Sequence, residues 1–339
     1  MRQQYFFLTL AFAVLSAHGA ERLPALGADA SAVTVSGVSA GGYMAVQMHV
    51  AHSATVKGAG ILAGGPYYCA QGSLWTAYYN CMKPAAWAPM PSTSLLLREI
   101  QDLEAKKEID PAANLGGSKV WLFSGTRDET VLPQVVQALR GFYEAVKASV
   151  VLVADKPAGH AMVVEQAENA CGVTAPPFIN DCDYDAAGAL LGHLLGPLTA
   201  PATTESGRLA RFDQKEFASG DAAGISLADE GFVYVPKACE AAACRAHIAF
   251  HGCRQGVAEL GDGFVRAAGY NRWADVNRLV VLYPQAIARE GWSFRSRNFV
   301  WNPRGCWDWW GYNGAHYHTK DGAQIRAVKA MMERITSRR

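Results

Sequence analysis

The chain has 339 residues, half of them hydrophobic and only 18% charged, enough to bury a large core in one α/β domain or two smaller ones. Lys and Arg number 31 against 30 Asp and Glu, a formal net charge of +1, and no basic block is longer than the terminal Arg338-Arg339. That balance argues against nucleic-acid or membrane-surface partners held by charge, and a monomer is expected.

The first residues read as a targeting segment. Arg2 is the positive n-region, Tyr5 to Leu15 an apolar h-region too short to span a bilayer, and Ser16, Ala17, Gly19 and Ala20 are the small residues before a cut. Residues 1–20 are therefore predicted to be a signal peptide, although His18 departs from an ideal cleavage site. A membrane anchor is the competing reading. The remainder, 21–339, is predicted to be one domain, secreted or periplasmic.

An even number of cysteines, eight, argues for disulfides in an exported chain. Local spacing suggests Cys69–Cys81, Cys171–Cys182 and Cys239–Cys244, which leaves Cys253–Cys306 to close a long loop. No pair has C-x-x-C zinc spacing, and His316-x-His318 reads better as solvated loop than as a ligand pair. Neither a metal nor a cofactor is expected.

In chain order, the apolar run Val33-Thr34-Val35 leads into Gly37-Val38-Ser39-Ala40-Gly41, then into an amphipathic stretch from Tyr43 to Met48. Strand, tight turn, helix with G-x-S-x-G at the turn is a nucleophile elbow. The neighbours of the serine are small so that its hydroxyl can stand exposed on a strained turn. Ala40 then opens a helix, where its N–H can meet a developing oxyanion. Val56 to Ala63 is a buried-strand pattern. The aromatic and Pro-rich stretch from Tyr67 to Leu95 reads as a disulfide-pinned excursion, and Leu96 to Lys107 as a short helix. Strands follow at Lys119 to Ser124 and Ser149 to Ala154, with a helix between them at Leu132 to Val146. A polar loop precedes a helix near Tyr184 to Leu195. Residues 197–223, rich in Thr, Ser, Ala and Gly, read as a connection. Further strands are expected at Gly231 to Pro236, His247 to Phe250 and Arg278 to Tyr283, a helix at Phe264 to Asn277, an aromatic loop from Trp292 to Tyr317, and a closing helix from Asp321 to Thr336.

Strands alternating with helices imply a mostly parallel sheet with helices on both faces. Ligands bind outside the carboxyl ends of such strands. Ser39, Asp128 and His160 all fall at strand carboxyl ends, in the serine, acid, histidine order of α/β-hydrolases. A serine hydroxyl needs a base to take its proton, and the base needs a carboxylate to hold its tautomer. Asp128 follows a Gly turn after an apolar strand; Asp155 and Glu129 are its rivals. His160 lies in a Gly-His loop that can reach across the rim, whereas His193 falls in a helix and His247 in a strand.

A second oxyanion donor normally comes from a loop after a strand that precedes the serine. Too few residues precede Ser39 for that. The missing piece stands far downstream, where Ala249-Phe250 runs into His251-Gly252-Cys253. A circular permutation resolves this, with 197–223 spanning the permutation point and the two ends of the domain close together. The elbow strand should then lie inside the sheet, with Cys253 beside Ser39.

With Gly37 to Gly42, Gly125-Thr126-Arg127-Asp128, Gly159-His160, His251-Gly252-Cys253 and Cys306-Trp307-Asp308-Trp309 in view, the chain resembles the circularly permuted, single-domain poly(3-hydroxybutyrate) depolymerases. The resemblance spans nearly all of the mature chain. It implies a permuted α/β-hydrolase fold, Ser39 as nucleophile, His160 as base, Asp128 as its partner, and an oxyanion hole from the Ala40 and Cys253 N–H groups. Feruloyl and acetylxylan esterases share these motifs, so aromatic or acetyl esters of polysaccharide are the alternative substrates. A non-catalytic polymer binder is a third reading.

An uncharged, methyl-branched polyester calls for an apolar groove. The aromatics between Trp292 and Tyr317 are expected to supply it, against the competing reading of a core plug. Trp307 is expected to touch substrate, with Trp309, Trp301 and Tyr68 as further contacts. Tyr67, Trp75 and Tyr78 are candidates for the opposite wall. Without a Thr-rich linker or separate polymer-binding module in view, short or amorphous polymer, or its oligomers, is the expected substrate.

Overall fold

Val33–Val38 is buried along its whole length, as a strand in the middle of a parallel sheet must be. In the computed structural model, which describes residues 20–294 and 296–339, this strand (β1) lies inside an eight-stranded sheet. The predicted signal peptide falls outside the described residues, except for Ala20.

β1 is followed by β2 (Val56–Leu62), β3 (Lys119–Phe123) and β4 (Ser149–Val153), then by a small sheet of β5 (Met162–Val164), β6 (Asn169–Ala170) and β7 (Ile179–Asp181). The main sheet resumes with β8 (Arg208–Asp213), β9 (Glu230–Val235), β10 (Arg245–Phe250) and β11 (Leu279–Tyr283), and β12 (Arg289–Ser293) and β13 (Asn298–Asn302) form a separate hairpin. The helices are α1 (Ala40–Ala51), α2 (Leu74–Cys81), α3 (Thr93–Ala105), α4 (Pro133–Ala145), α5 (Ala186–Leu195), α6 (Val257–Leu260), α7 (Gly263–Ala267), α8 (Tyr270–Val276) and α9 (Ala323–Thr336). Among the described residues no helix is long and apolar enough to cross a membrane.

The strand order is β4-β3-β2-β1-β10-β11-β9-β8. β1 pairs in parallel with β2 on one side and with β10 on the other, Val33 opposite Ala246 and Gly37 opposite Phe250. β3, β4 and β11 continue the parallel set, while at one edge β9 pairs antiparallel with β11 and β8 antiparallel with β9. The strand that opens the fold is thus central, and its neighbour comes from the other half of the chain. This is the order of a permuted α/β-hydrolase sheet. The two ends also meet: Gly27 N–H donates to the Ser337 carbonyl at 2.9 Å and Ala28 N–H to that of Ile335 at 3.0 Å.

Two apolar layers cover the sheet. One packs Val33 and Val35 with Met44, Leu139 and Met331 of α1, α4 and α9; the other packs Val38 and Leu62 with Leu190 and Ala274 of α5 and α8. Alternate strand residues face opposite sides, so β1 serves both layers.

Three expectations change. The segment 197–223 is more than a connection, because β8 lies within it and pairs with β9 along six residues. Its polar composition follows from its edge position, where Phe212 is the one buried residue of the six. The expected helix from Phe264 to Asn277 is two, α7 and α8, broken at Gly269 with φ +88°. The aromatic stretch read as loop contains the β12–β13 hairpin, with Trp292 opposite Phe299.

Candidate active site

Ser39 sits between β1 and α1 with φ 57° and ψ −125°. A non-glycine residue held there stores strain of roughly 1–3 kcal/mol, which the surrounding contacts sustain. Ser39 N–H donates to the Leu62 carbonyl at 2.9 Å, and its own carbonyl accepts from Tyr43 N–H at 3.1 Å. The flanking glycines have steric reasons. A Cβ on Gly37 would stand 2.2 Å from the Gly41 carbonyl oxygen, and one on Gly41 would stand 2.4 Å from those of Phe250 and His251. Only glycine lets α1 leave β1 so sharply while β10 ends against it.

Asp128 and His160 leave β3 and β4 on adjacent loops. Backbone hydrogen bonds join them: Thr126 N–H to the Lys156 carbonyl at 2.9 Å, and Arg127 N–H to that of Ala158 at 3.1 Å. Asp128 is buried, and its Oδ1 accepts from Thr130 N–H at 2.8 Å and Val131 N–H at 2.9 Å. Its Oδ2 lies 2.7 Å from His160 Nδ1, and His160 Nε2 lies 2.7 Å from Ser39 Oγ. A carboxylate only accepts, so Nδ1 carries the proton, and Nε2 is left to accept from the serine hydroxyl. The rivals stand elsewhere. Asp155 and Glu129 are exposed, His193 lies in α5, and His247 is bonded to Thr34 and Ser36 inside the sheet.

The turn after β10 lies against the serine, since a Cβ on Gly252 would be 3.4 Å from Ser39 Cβ. Several buried groups hold that turn. His251 Nδ1–H donates to the Gly252 carbonyl at 2.7 Å, and its Nε2 accepts from Ala286 N–H at 3.0 Å. Burial pulls the His251 pKa down to about 4, so the ring is neutral and one acceptor nitrogen is available. Gln255 Oε1 accepts from Gly252 N–H at 2.8 Å, while its Nε2 donates to the carbonyls of Pro177 at 3.1 Å and Phe178 at 2.9 Å. The Cys253–Cys306 disulfide adds a covalent tie. The other three bonds, Cys69–Cys81, Cys171–Cys182 and Cys239–Cys244, are also present.

The histidine loop is braced as well. His160 N–H donates to Thr174 Oγ1 at 2.9 Å, Gly159 N–H to the Cys171 carbonyl at 2.8 Å, and Asn180 Nδ2 to the carbonyls of Cys171 and Val173. Gln255, Thr174 and Asn180 had no signal in the sequence beyond their nearness to motif residues.

Ser39 and His160 open into a cleft of about 920 Å³. Trp301, Trp309 and Trp310 line one part of it, and Trp75, Tyr78 and Tyr79 another. Trp309 stacks on Tyr43 with ring centroids 3.9 Å apart. Two expected contacts belong elsewhere. Trp307 is 0% exposed, packs edge-on against Phe250, and donates its indole N–H to the His251 carbonyl at 3.1 Å. It braces the turn from behind and cannot reach a bound chain. Tyr68 is outside the cleft, stacked on Tyr317 and tilted against His318. Tyr67 is also buried, donating to the His318 carbonyl. The aromatic stretch is therefore both core plug and surface: Trp307, Trp309, Trp310 and Tyr312 are buried, while Trp292, Phe294, Phe299 and Trp301 are exposed on the hairpin.

No family model matches the chain. Among curated proteins, it is 46% identical over 330 residues to a poly(3-hydroxybutyrate) depolymerase of Delftia acidovorans, covering 95% of this chain but only 63% of that protein. It is 35% identical over 334 residues to a polyhydroxybutyrate depolymerase of Talaromyces funiculosus, covering 94% and 93%. Two solved structures, a PHB depolymerase from Penicillium funiculosum and a PHB depolymerase (S39A) complexed with R3HB trimer, each superpose with a TM-score of 0.82 at 34% identity. Each superposition covers 93% of this chain and 98% of the other. On sequence and fold together, the chain belongs to the polyhydroxybutyrate depolymerase family.

Proposed function

We propose that the chain is a serine esterase that hydrolyses the ester bonds of poly(3-hydroxybutyrate) and its oligomers through an acyl-enzyme. The observation that carries this reading is the unbroken hydrogen-bonded line from Asp128 through His160 to Ser39 Oγ, opening into an apolar, aromatic-walled cleft. Ser39 Oγ attacks an ester carbonyl as His160 Nε2 takes its proton; Asp128 stabilises the resulting imidazolium. The Ala40 and Cys253 N–H groups take the oxyanion, the first from the start of α1 and the second from the braced turn. His160 then returns the proton to the departing alkoxide, and water attacks the acyl-serine by the same route. Trp301 and Trp309 are the aromatic contacts assigned to the substrate. A relative of this fold is described in complex with an R3HB trimer, which supports oligomers as substrates here.

The described residues would act as one catalytic unit after removal of a signal peptide at 1–20. Four disulfides among them suit an oxidising, secreted or periplasmic setting. The test is Ser39→Ala, with hydroxybutyrate release from amorphous polymer as the readout. A folded variant without hydrolysis, and without organophosphonate labelling, is expected. Retained activity would refute the mechanism.

A further inference from the structure

Among the described residues, the cleft is lined by apolar and neutral polar side chains apart from His160 and two arginines, Arg254 and Arg304. A polyester backbone carries no charge, so its esters offer a guanidinium only neutral carbonyl acceptors. The one ionised group on a hydroxybutyrate oligomer is its terminal carboxylate. A planar guanidinium fork matches a carboxylate in shape and charge.

The two arginines are held together. Arg254 directly follows Cys253, adopts φ 61°, and donates its N–H to the Arg304 carbonyl at 2.7 Å. The Cys253–Cys306 disulfide ties the same two segments. Both side chains are exposed, and among the described residues neither forms an ion pair. Glu259 is the acid whose charge senses Arg254, but it does not line the cleft.

We propose that Arg254 and Arg304 form a subsite for the free carboxylate of a hydroxyalkanoate oligomer, so that the chain is bound by its carboxyl end. This rests on the esterase reading above. The chemistry then has a fixed register. Ser39 forms a bond to the ester carbonyl carbon, and the bond to the ester oxygen breaks. The segment between that oxygen and the anchored carboxylate leaves as an alcohol, protonated by His160. Water then cleaves the acyl-serine. The span from Ser39 to the arginines sets the length of the released segment.

The test compares the trimer of 3-hydroxybutyrate as free acid with its methyl ester. In the wild type, kcat/KM should favour the acid, and the preference should shrink at high salt. In Arg254→Gln/Arg304→Gln the acid-to-ester ratio should fall by about tenfold or more, chiefly through KM, since one charge-assisted contact is worth about that factor. Equal ratios in wild type and variant, or no preference in the wild type, would overturn the proposal. Calorimetric binding of both trimers to Ser39→Ala separates it from the esterase reading. Selective binding of the acid sustains the subsite even if the wild type hydrolyses neither, and equal binding refutes it even if hydrolysis is brisk.

Discussion

His160 and the Gly252-Cys253 turn approach Ser39 from opposite halves of the chain, and they are fixed by different means. The histidine stands at the cleft wall, oriented by Asp128 on one ring nitrogen and aimed at Ser39 with the other. The Gly252-Cys253 turn is buttressed from behind by a neutral histidine, an indole, a glutamine amide and a disulfide. The contrast follows from the proposed chemistry. The base must exchange protons with a substrate that enters and leaves. Oxyanion donors contribute most when they need no reorganisation at the moment charge develops.

The largest expected effect tests the proton-handling side. Asp128→Asn should keep the fold but lower kcat roughly ten-thousand-fold, because an amide there favours the wrong tautomer of His160. A loss of less than tenfold would mean that Asp128 does not orient the base. Next comes the turn. Trp307→Ala should cost about 3–5 kcal/mol of stability, read by denaturant unfolding, because a fully buried indole is removed. An unchanged midpoint would remove the distinction between braced turn and open wall. Gln255→Ala should lower kcat about 10- to 100-fold, the effect of a small misplacement of a reacting group, with KM changing less. A selective rise in KM would place Gln255 with the substrate instead.

Acidification probes the buried histidines. Burial pulls His251 down to about 4, and His247 and His49 down to about 3. Below an unfolded-state value of about 6.5 the unfolded chain takes up protons that the folded chain refuses, so stability falls with pH. Each such histidine contributes a slope of up to about 1.4 kcal/mol per pH unit between about 6.5 and 4. The melting temperature should therefore drop across that window, and His247→Phe should flatten the decline. Trp301→Ala should have the smallest effect. Its indole is 49% exposed, so stability should move within about 0.5 kcal/mol, while KM for oligomers rises.

Much of the site was legible because backbone crowding dictates residue type. Gly37 and Gly41 are required where β1, α1 and β10 converge, and such requirements survive in a linear sequence. The displaced His251-Gly252-Cys253 run was legible because too few residues precede Ser39 to supply a second donor turn, and it implied the interior position of β1. Burial of individual aromatics was not legible. Trp301 and Trp307 occur in similar company, and their opposite fates depend on whether Phe250 and His251 pack behind them. Nor was β8, whose edge position permits the composition of a linker. Gln255 and Thr174 act through side-chain hydrogen bonds that join separate loops, which leave no periodic trace.

The central place of β1 has a consequence for the birth of the molecule. One flank of β1 can pair early, with β2. The other waits for β10, where Thr34 bonds to His247 across 213 residues. Until then an apolar strand keeps an open edge, the kind of surface on which nascent chains aggregate. Late, non-local pairing of this sort slows folding. A chaperone that shields Val33–Val38 until β10 has been made should therefore raise the yield of soluble protein more than one acting on the last helix.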